Sequence, residues 1–101
     1  MRKSIKIIVR NYNTKKGTTF TKLSVGGKYL PLAVAEDEVN YQVRFTKDSV
    51  AKEPTNNGIY EVAFEEGNLW IDNRNETPVV RVRAVKVIFD KPLIDKDIRL
   101  K

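Results

Sequence analysis

The strongest constraint on this chain is a two-residue alternation of apolar and polar side chains that persists through most of its length. The alternating runs are rich in Val, Ile, Thr, Tyr and Phe and are interrupted by Asn, Gly and Pro, whereas no useful stretch repeats every 3.6 residues. Side chains of an extended strand point alternately to its two faces, so this pattern calls for half-buried β-strands and an all-β fold. At 101 residues the chain is expected to form one domain. Its 41% hydrophobic content is enough for a single core without disulfides or a structural metal.

The first expected strand covers residues 3–12, with Ile5, Ile7 and Val9 on the core face and Lys6, Ile8, Arg10 and Tyr12 on the other. Asn13-Thr14-Lys15-Lys16-Gly17 has the residues to reverse the chain. A second strand over 18–25 then turns Leu23 and Val25 inward and Phe20 and Lys22 outward. Gly26-Gly27 bends this strand or opens a turn, with Tyr29 and Leu30 pairing just beyond. A loop over 31–40 holds the acidic run Glu36-Asp37-Glu38, and a third strand follows at 41–46. The polar segment 47–57 is expected to be a loop with at most one helical turn, from Asp48. Gly58 to Phe64 forms a fourth strand, and a hairpin at Glu65-Glu66-Gly67-Asn68 returns it as Leu69-Trp70-Ile71. A long strand over 79–89 carries a bulge near Ala84 or is buried on both faces. Strands of this size and spacing favour a small five-stranded OB-like Greek-key barrel over residues 1–90, leaving 91–101 as a C-terminal extension.

The chain has neither Cys nor His. That removes zinc fingers, thiol nucleophiles, histidine-based catalysis and disulfide scaffolds, so no enzymatic activity, metal or cofactor is expected. The apolar run near the N-terminus is short and is broken by Lys6, unlike a signal peptide, and no segment is long and apolar enough to span a membrane. A soluble cytoplasmic protein is expected, in the host cytoplasm if the source is viral.

Net charge is +6, and its placement is uneven. Residues 1–35 hold eight basic side chains (Arg2, Lys3, Lys6, Arg10, Lys15, Lys16, Lys22 and Lys28) and no acidic one, whereas residues 36–101 hold eleven basic and thirteen acidic. A one-sign field attracts polyanions and releases their counterions. Single-stranded nucleic acid is held by cations along its phosphates and rings against its bases. Tyr12 and Phe20, outward beside Lys6, Arg10, Lys15, Lys16 and Lys22, supply both on one strand pair. Phe20 either stacks a base or packs under a neighbouring loop or subunit. Trp70 stacks a base, fills a dimer contact or closes the core; Tyr29 and Tyr41 are equally open, while Tyr60 and Phe64 belong to the core. Lys28 and Arg44 complete the candidate nucleic-acid-binding set, and Arg81 and Arg83 either extend it or face Glu61 or Glu65 across strands.

Lys15-Lys16-Gly17-Thr18-Thr19-Phe20, followed by Pro54-Thr55-Asn56-Asn57-Gly58-Ile59-Tyr60-Glu61-Val62, resembles the gene V type single-stranded DNA-binding proteins of filamentous phages and related small OB-fold proteins of other bacteriophages. In that family a basic residue precedes a glycine and an aromatic three residues after it stacks on DNA, so the resemblance implies that Lys15, Lys16 and Gly17 hold the matching places and that Phe20 is the stacking ring. The later segment corresponds to the structural entry into that family's fourth strand. Glu65 to Asn68 is shorter than the hairpin those proteins use to dimerise, so a homodimer of that form is not implied, although a homodimer stays open. The expectation is a sequence-nonspecific protein that coats single-stranded DNA during phage replication or recombination. Alternatives are an RNA-binding, cold-shock-like domain and a protein-interaction or virion assembly module with a basic face.

Overall fold

The computed structural model describes residues 2–26, 40–74, 76 and 78–93. Among these the fold is all-β: β1 (Arg2–Asn13), β2 (Thr19–Gly26), β3 (Asn40–Phe45), β4 (Gly58–Glu65), β5 (Leu69–Asp72), β6 (Val79–Val82) and β7 (Lys86–Lys91). They form one mixed sheet in the order β5-β6-β3-β2-β1-β4-β7, antiparallel except where β3 runs parallel to β6. The expected five-stranded OB-like Greek-key barrel is therefore replaced, among the described residues, by seven strands in one open sheet. The helical turn anticipated at Asp48 is a tight turn closed by Ser49 N–H donating to the Thr46 carbonyl at 3.1 Å.

The open sheet is nevertheless curled. β6 and β7 are five strand spacings apart in the sheet order, about 24 Å if it were flat. Only Arg83 to Val85 separate them in the chain, a reach of about 14 Å when fully extended. The equally short link Glu66 to Asn68 joins β4 to β5, again from one side of the sheet to the other. Both links hold only if the sheet wraps round. Within the β6–β7 link, Arg83 N–H donates to the Asn68 carbonyl and so extends the β5–β6 ladder, and Val85 N–H donates to the Ala63 carbonyl and so extends the β4–β7 ladder, each at 2.9 Å. The core fills the inside of the curl: Ile5, Ile7, Val9, Leu23, Val25, Val43, Tyr60, Val62, Phe64, Leu69, Val80, Val82 and Ala84.

Three further sequence expectations change for the same reason. The run 79–89 is not one bulged strand; it breaks at Arg83 to Val85 into β6 and β7, which serve opposite sides of the sheet. The turn at Glu65 to Asn68 forms, but β5 pairs with β6 and not with β4. β7 runs through Lys91, so Lys91, expected to open the C-terminal extension, belongs to the sheet.

β1 changes partners along its length. Residues Arg2–Val9 pair with β4 and Ile8–Asn13 with β2, so Ile8 and Val9 alone lie between both. There the outer face is buried too: Ile8, expected outside, is enclosed beside Ser24 and Ile59, its partners across the two ladders. Beyond Val9 the β1–β2 pair loses β4 on one side, and β2 meets β3 only from Ser24 onward. The segment from Arg10 to Lys22 is thus a two-stranded ribbon that runs on from the sheet. Its tip is a three-residue loop in which Gly17 adopts φ +80°, a left-handed conformation that glycine reaches without a Cβ clash.

Candidate nucleic-acid interface

The ribbon positions the candidate residues. Tyr12 and Phe20 are direct cross-strand partners, and Arg10 faces Lys22 one step nearer the sheet. The Tyr12 and Phe20 rings stack with centroids 5.9 Å apart and planes 24° from parallel. Each remains about half exposed, Tyr12 at 52% and Phe20 at 49%, and no described strand flanks the ribbon at that level. Thr14 N–H donates to the Thr18 carbonyl and Gly17 N–H to the Thr14 carbonyl, both at 2.9 Å, which fixes the loop that carries Lys15 and Lys16.

The other face of the ribbon is polar and anchored. Asn11 N–H donates to Asn57 Oδ1 at 2.5 Å and Asn11 Nδ2 to the Thr55 carbonyl at 2.6 Å, so the segment before β4 braces the base of the ribbon. Tyr60 Oη donates to the Asn56 carbonyl at 2.9 Å and holds that segment in turn. Gly58 admits the ring of Phe89: a Cβ there would lie 2.7 Å from Phe89 Cε1. The brace and the ribbon enclose an open groove of about 430 Å³ lined by Arg10, Asn11, Tyr12, Lys22, Asn57 and Leu93. Sequence analysis missed Asn11, Asn57 and Leu93. The pattern held no sign of them, since an Asn at a strand end reads equally well as turn chemistry.

Ion pairing sorts the basic side chains. Arg2 pairs with Glu65 at 3.4 Å, Lys3 with Glu66 at 3.9 Å and Lys6 with Asp90 at 3.2 Å. Arg44 is held by Glu53 at 3.5 Å. Arg81 and Arg83 do not face Glu61 or Glu65: Arg81 bonds Asp72 at 3.0 Å and Arg83 bonds Asp48 at 3.3 Å. Lys15, Lys16 and Lys22 have no ion-pair partner among the described residues. Within residues 2–26 the lysines without a described carboxylate partner are therefore those of the ribbon, while Lys47, Lys52, Lys86 and Lys91 lack one elsewhere in the chain. Lys28 and Tyr29 lie outside the described residues, as does the loop with Glu36-Asp37-Glu38.

Trp70, 44% exposed, lies on the same outer face. It opposes Arg81 across β5 and β6, and Arg81 opposes Arg44 across β6 and β3. The band from Trp70 to Arg44 crosses two strand spacings, about 10 Å. Beneath it Asp72 is nearly inaccessible and accepts from Arg74 Nε and Nη2 at 3.0 and 2.8 Å, from Arg74 N–H at 3.1 Å and from Arg81 Nε at 3.0 Å. The Arg74 bonds, then that from Arg81, hold its carboxyl well below the usual carboxylate range. Among the described residues no helix is long and apolar enough to cross a membrane.

The chain was compared with protein-family models, curated proteins and solved structures, and none of the three matches it.

Proposed function

We propose that this protein binds single-stranded DNA without sequence preference and coats it, with no catalytic step. The observation that carries the reading is the half-exposed Tyr12–Phe20 stack beside three lysines that have no acidic partner among the described residues. Two large rings held in water at a strand pair lose solubility unless a ligand covers them, and every base offers a π-face to cover them with. Phosphates follow Lys15, Lys16, Lys22 and Arg10, and the groove under Tyr12 accepts the nucleotide next to the stacked base. Lys6 and Arg44, each engaged by a carboxylate, take the edge of the path, and Trp70 takes its far end. We read the curled sheet as a partly open OB-like barrel that uses its outer strand face for the ligand. The phage replication or recombination setting rests on the resemblance of Lys15–Phe20 and Pro54–Val62 to the gene V type proteins.

Trp70 fluorescence, followed while oligo-dT, oligo-U and duplex DNA are titrated in at two salt concentrations, tests the reading. Single strands should quench it and duplex should not. About four phosphate contacts give a slope of log K against log salt of about −3. Tighter binding of oligo-U than of oligo-dT would move the assignment to RNA, and salt-independent or absent binding to every oligomer would end it.

A further inference from the structure

We propose that β7 pairs edge to edge with β7 of a second copy of this chain, antiparallel about a two-fold axis centred on Ile88. β7 is an end strand: β4 takes one side, and no ladder occupies the other among the described residues. An unpaired edge exposes a row of N–H and C=O groups that templates another strand, and natural sheets usually blunt it with charge. β7 does carry Lys86, Asp90 and Lys91, but it also sets two large apolar side chains near water, Ile88 at 49% exposure on the outer face and Phe89 at 54% on the other. Phe89 is already fixed, edge-on to Tyr60 with centroids 5.5 Å apart and pressed over Gly58, so little side-chain freedom remains to be lost on pairing.

The sequence of β7 complements itself in one register. Centring on Ile88 sets Lys86 opposite Asp90 twice, Val87 opposite Phe89 twice and Ile88 opposite itself. Lys86 has no ion-pair partner among the described residues. The β4–β7 ladder bulges between Ile59 and Tyr60 and makes Asp90 the extra residue, yet its carboxylate reaches Lys6 on the outer face, the side that Lys86 and Ile88 share. Slipping the pairing by one residue in one direction sets Lys86 against Lys91, like charges directly opposite, and in the other sets Lys86 against Phe89 and leaves the Lys86–Asp90 match unmade. Pro92 has no N–H to donate and ends the pairing. Such a contact is isologous and closed, so it yields a dimer and not a fibre. One six-residue strand buries less than the roughly 1,200 Å² of a stable interface, so the dimer is weak and concentration-dependent.

Because the chain lacks cysteine, Ile88→Cys tests the axis directly. Paired positions bring Cα atoms to about 4.5–5.5 Å, inside the roughly 4.4–6.8 Å a disulfide needs. Under mild oxidation Ile88→Cys should form a covalent dimer about tenfold or more faster than the control Val50→Cys, whose position is more exposed but lies off the edge, because pairing raises the local thiol concentration. In sedimentation velocity at high protein concentration, Lys86→Asp should abolish self-association and Lys86→Asp/Asp90→Lys should restore it, with circular dichroism unchanged. Equal cross-linking of the two cysteine variants, or a double variant as monomeric as the single one, overturns the proposal. Neither experiment contains nucleic acid, so its outcome is separate from that of the proposed function.

Discussion

The two halves of β1 hold similar residues and meet different fates. Between Arg2 and Val9 the strand lies against β4, and Glu65, Glu66 and Asp90 take up Arg2, Lys3 and Lys6. Beyond Val9 it lies against β2, which contains no acidic residue, and the lysines of the loop and of β2 stay unmatched by any described carboxylate. The apolar residues divide in the same way, since Ile8 is flanked on both sides and buried while Tyr12, four positions on, is flanked on one side and exposed. What differs is the number and charge of the neighbouring strands. A count of basic residues along the chain is therefore not a map of its field.

Removing the ring that most depends on this difference should have the largest effect. Phe20→Ala should weaken oligo-dT binding by about 5- to 150-fold, the equivalent of ~1–3 kcal/mol for one stacked base, while the melting temperature barely moves because the ring is half exposed. Undiminished affinity would remove the stack from the interface. Lys15→Ala/Lys16→Ala should lower the steepness of the salt dependence by about 1.4, or about 0.7 for each lost phosphate contact on a single strand. The companion Arg2→Ala/Lys3→Ala should leave that slope unchanged, and an equal fall in both variants would erase the contrast between the two halves.

Asp72 takes pairing furthest, and there pH is the probe. Its folded-state pKa is depressed by Arg74 and then Arg81, so its contribution to stability is complete above the ordinary carboxylate pKa of about 3.9. That contribution is lost as pH falls from there toward the folded-state value. Urea unfolding should find Asp72→Asn less stable than the parent at pH 7, with the gap narrowing as the pH drops below 4; a constant gap would mean the charge is not what matters. The smallest effect belongs to the exposed pairs. Glu65→Gln and Glu66→Gln should each cost about 0–1 kcal/mol in the same assay, since exposed ion pairs are screened and entropically expensive.

Much of this was legible in the residues. The inward faces of β1 and β2, the reversal at Lys15-Lys16-Gly17 and the outward Tyr12 and Phe20 follow from alternation and turn chemistry, both local. Tyr60 and Phe64 fall in the core as the pattern requires. Ile8 was misplaced because alternation assumes one buried face, and only the handover between β4 and β2 buries the second. The run 79–89 read as one strand because nothing local in Arg83-Ala84-Val85 says that the flanking halves join opposite sides of a curled sheet. Lys6 counted as part of the interface because its partner Asp90 lies 84 positions away in the chain.

The sequence by itself determined that the chain is built of strands, which side of the opening pair is apolar and where that pair turns, because side-chain alternation and glycine's left-handed freedom act between adjacent residues. Tertiary structure decided which strands became neighbours, which cations were matched by carboxylates and which rings stayed in water. Those outcomes depend on long-range backbone pairing, and strand pairing brings together residues that share no local signal.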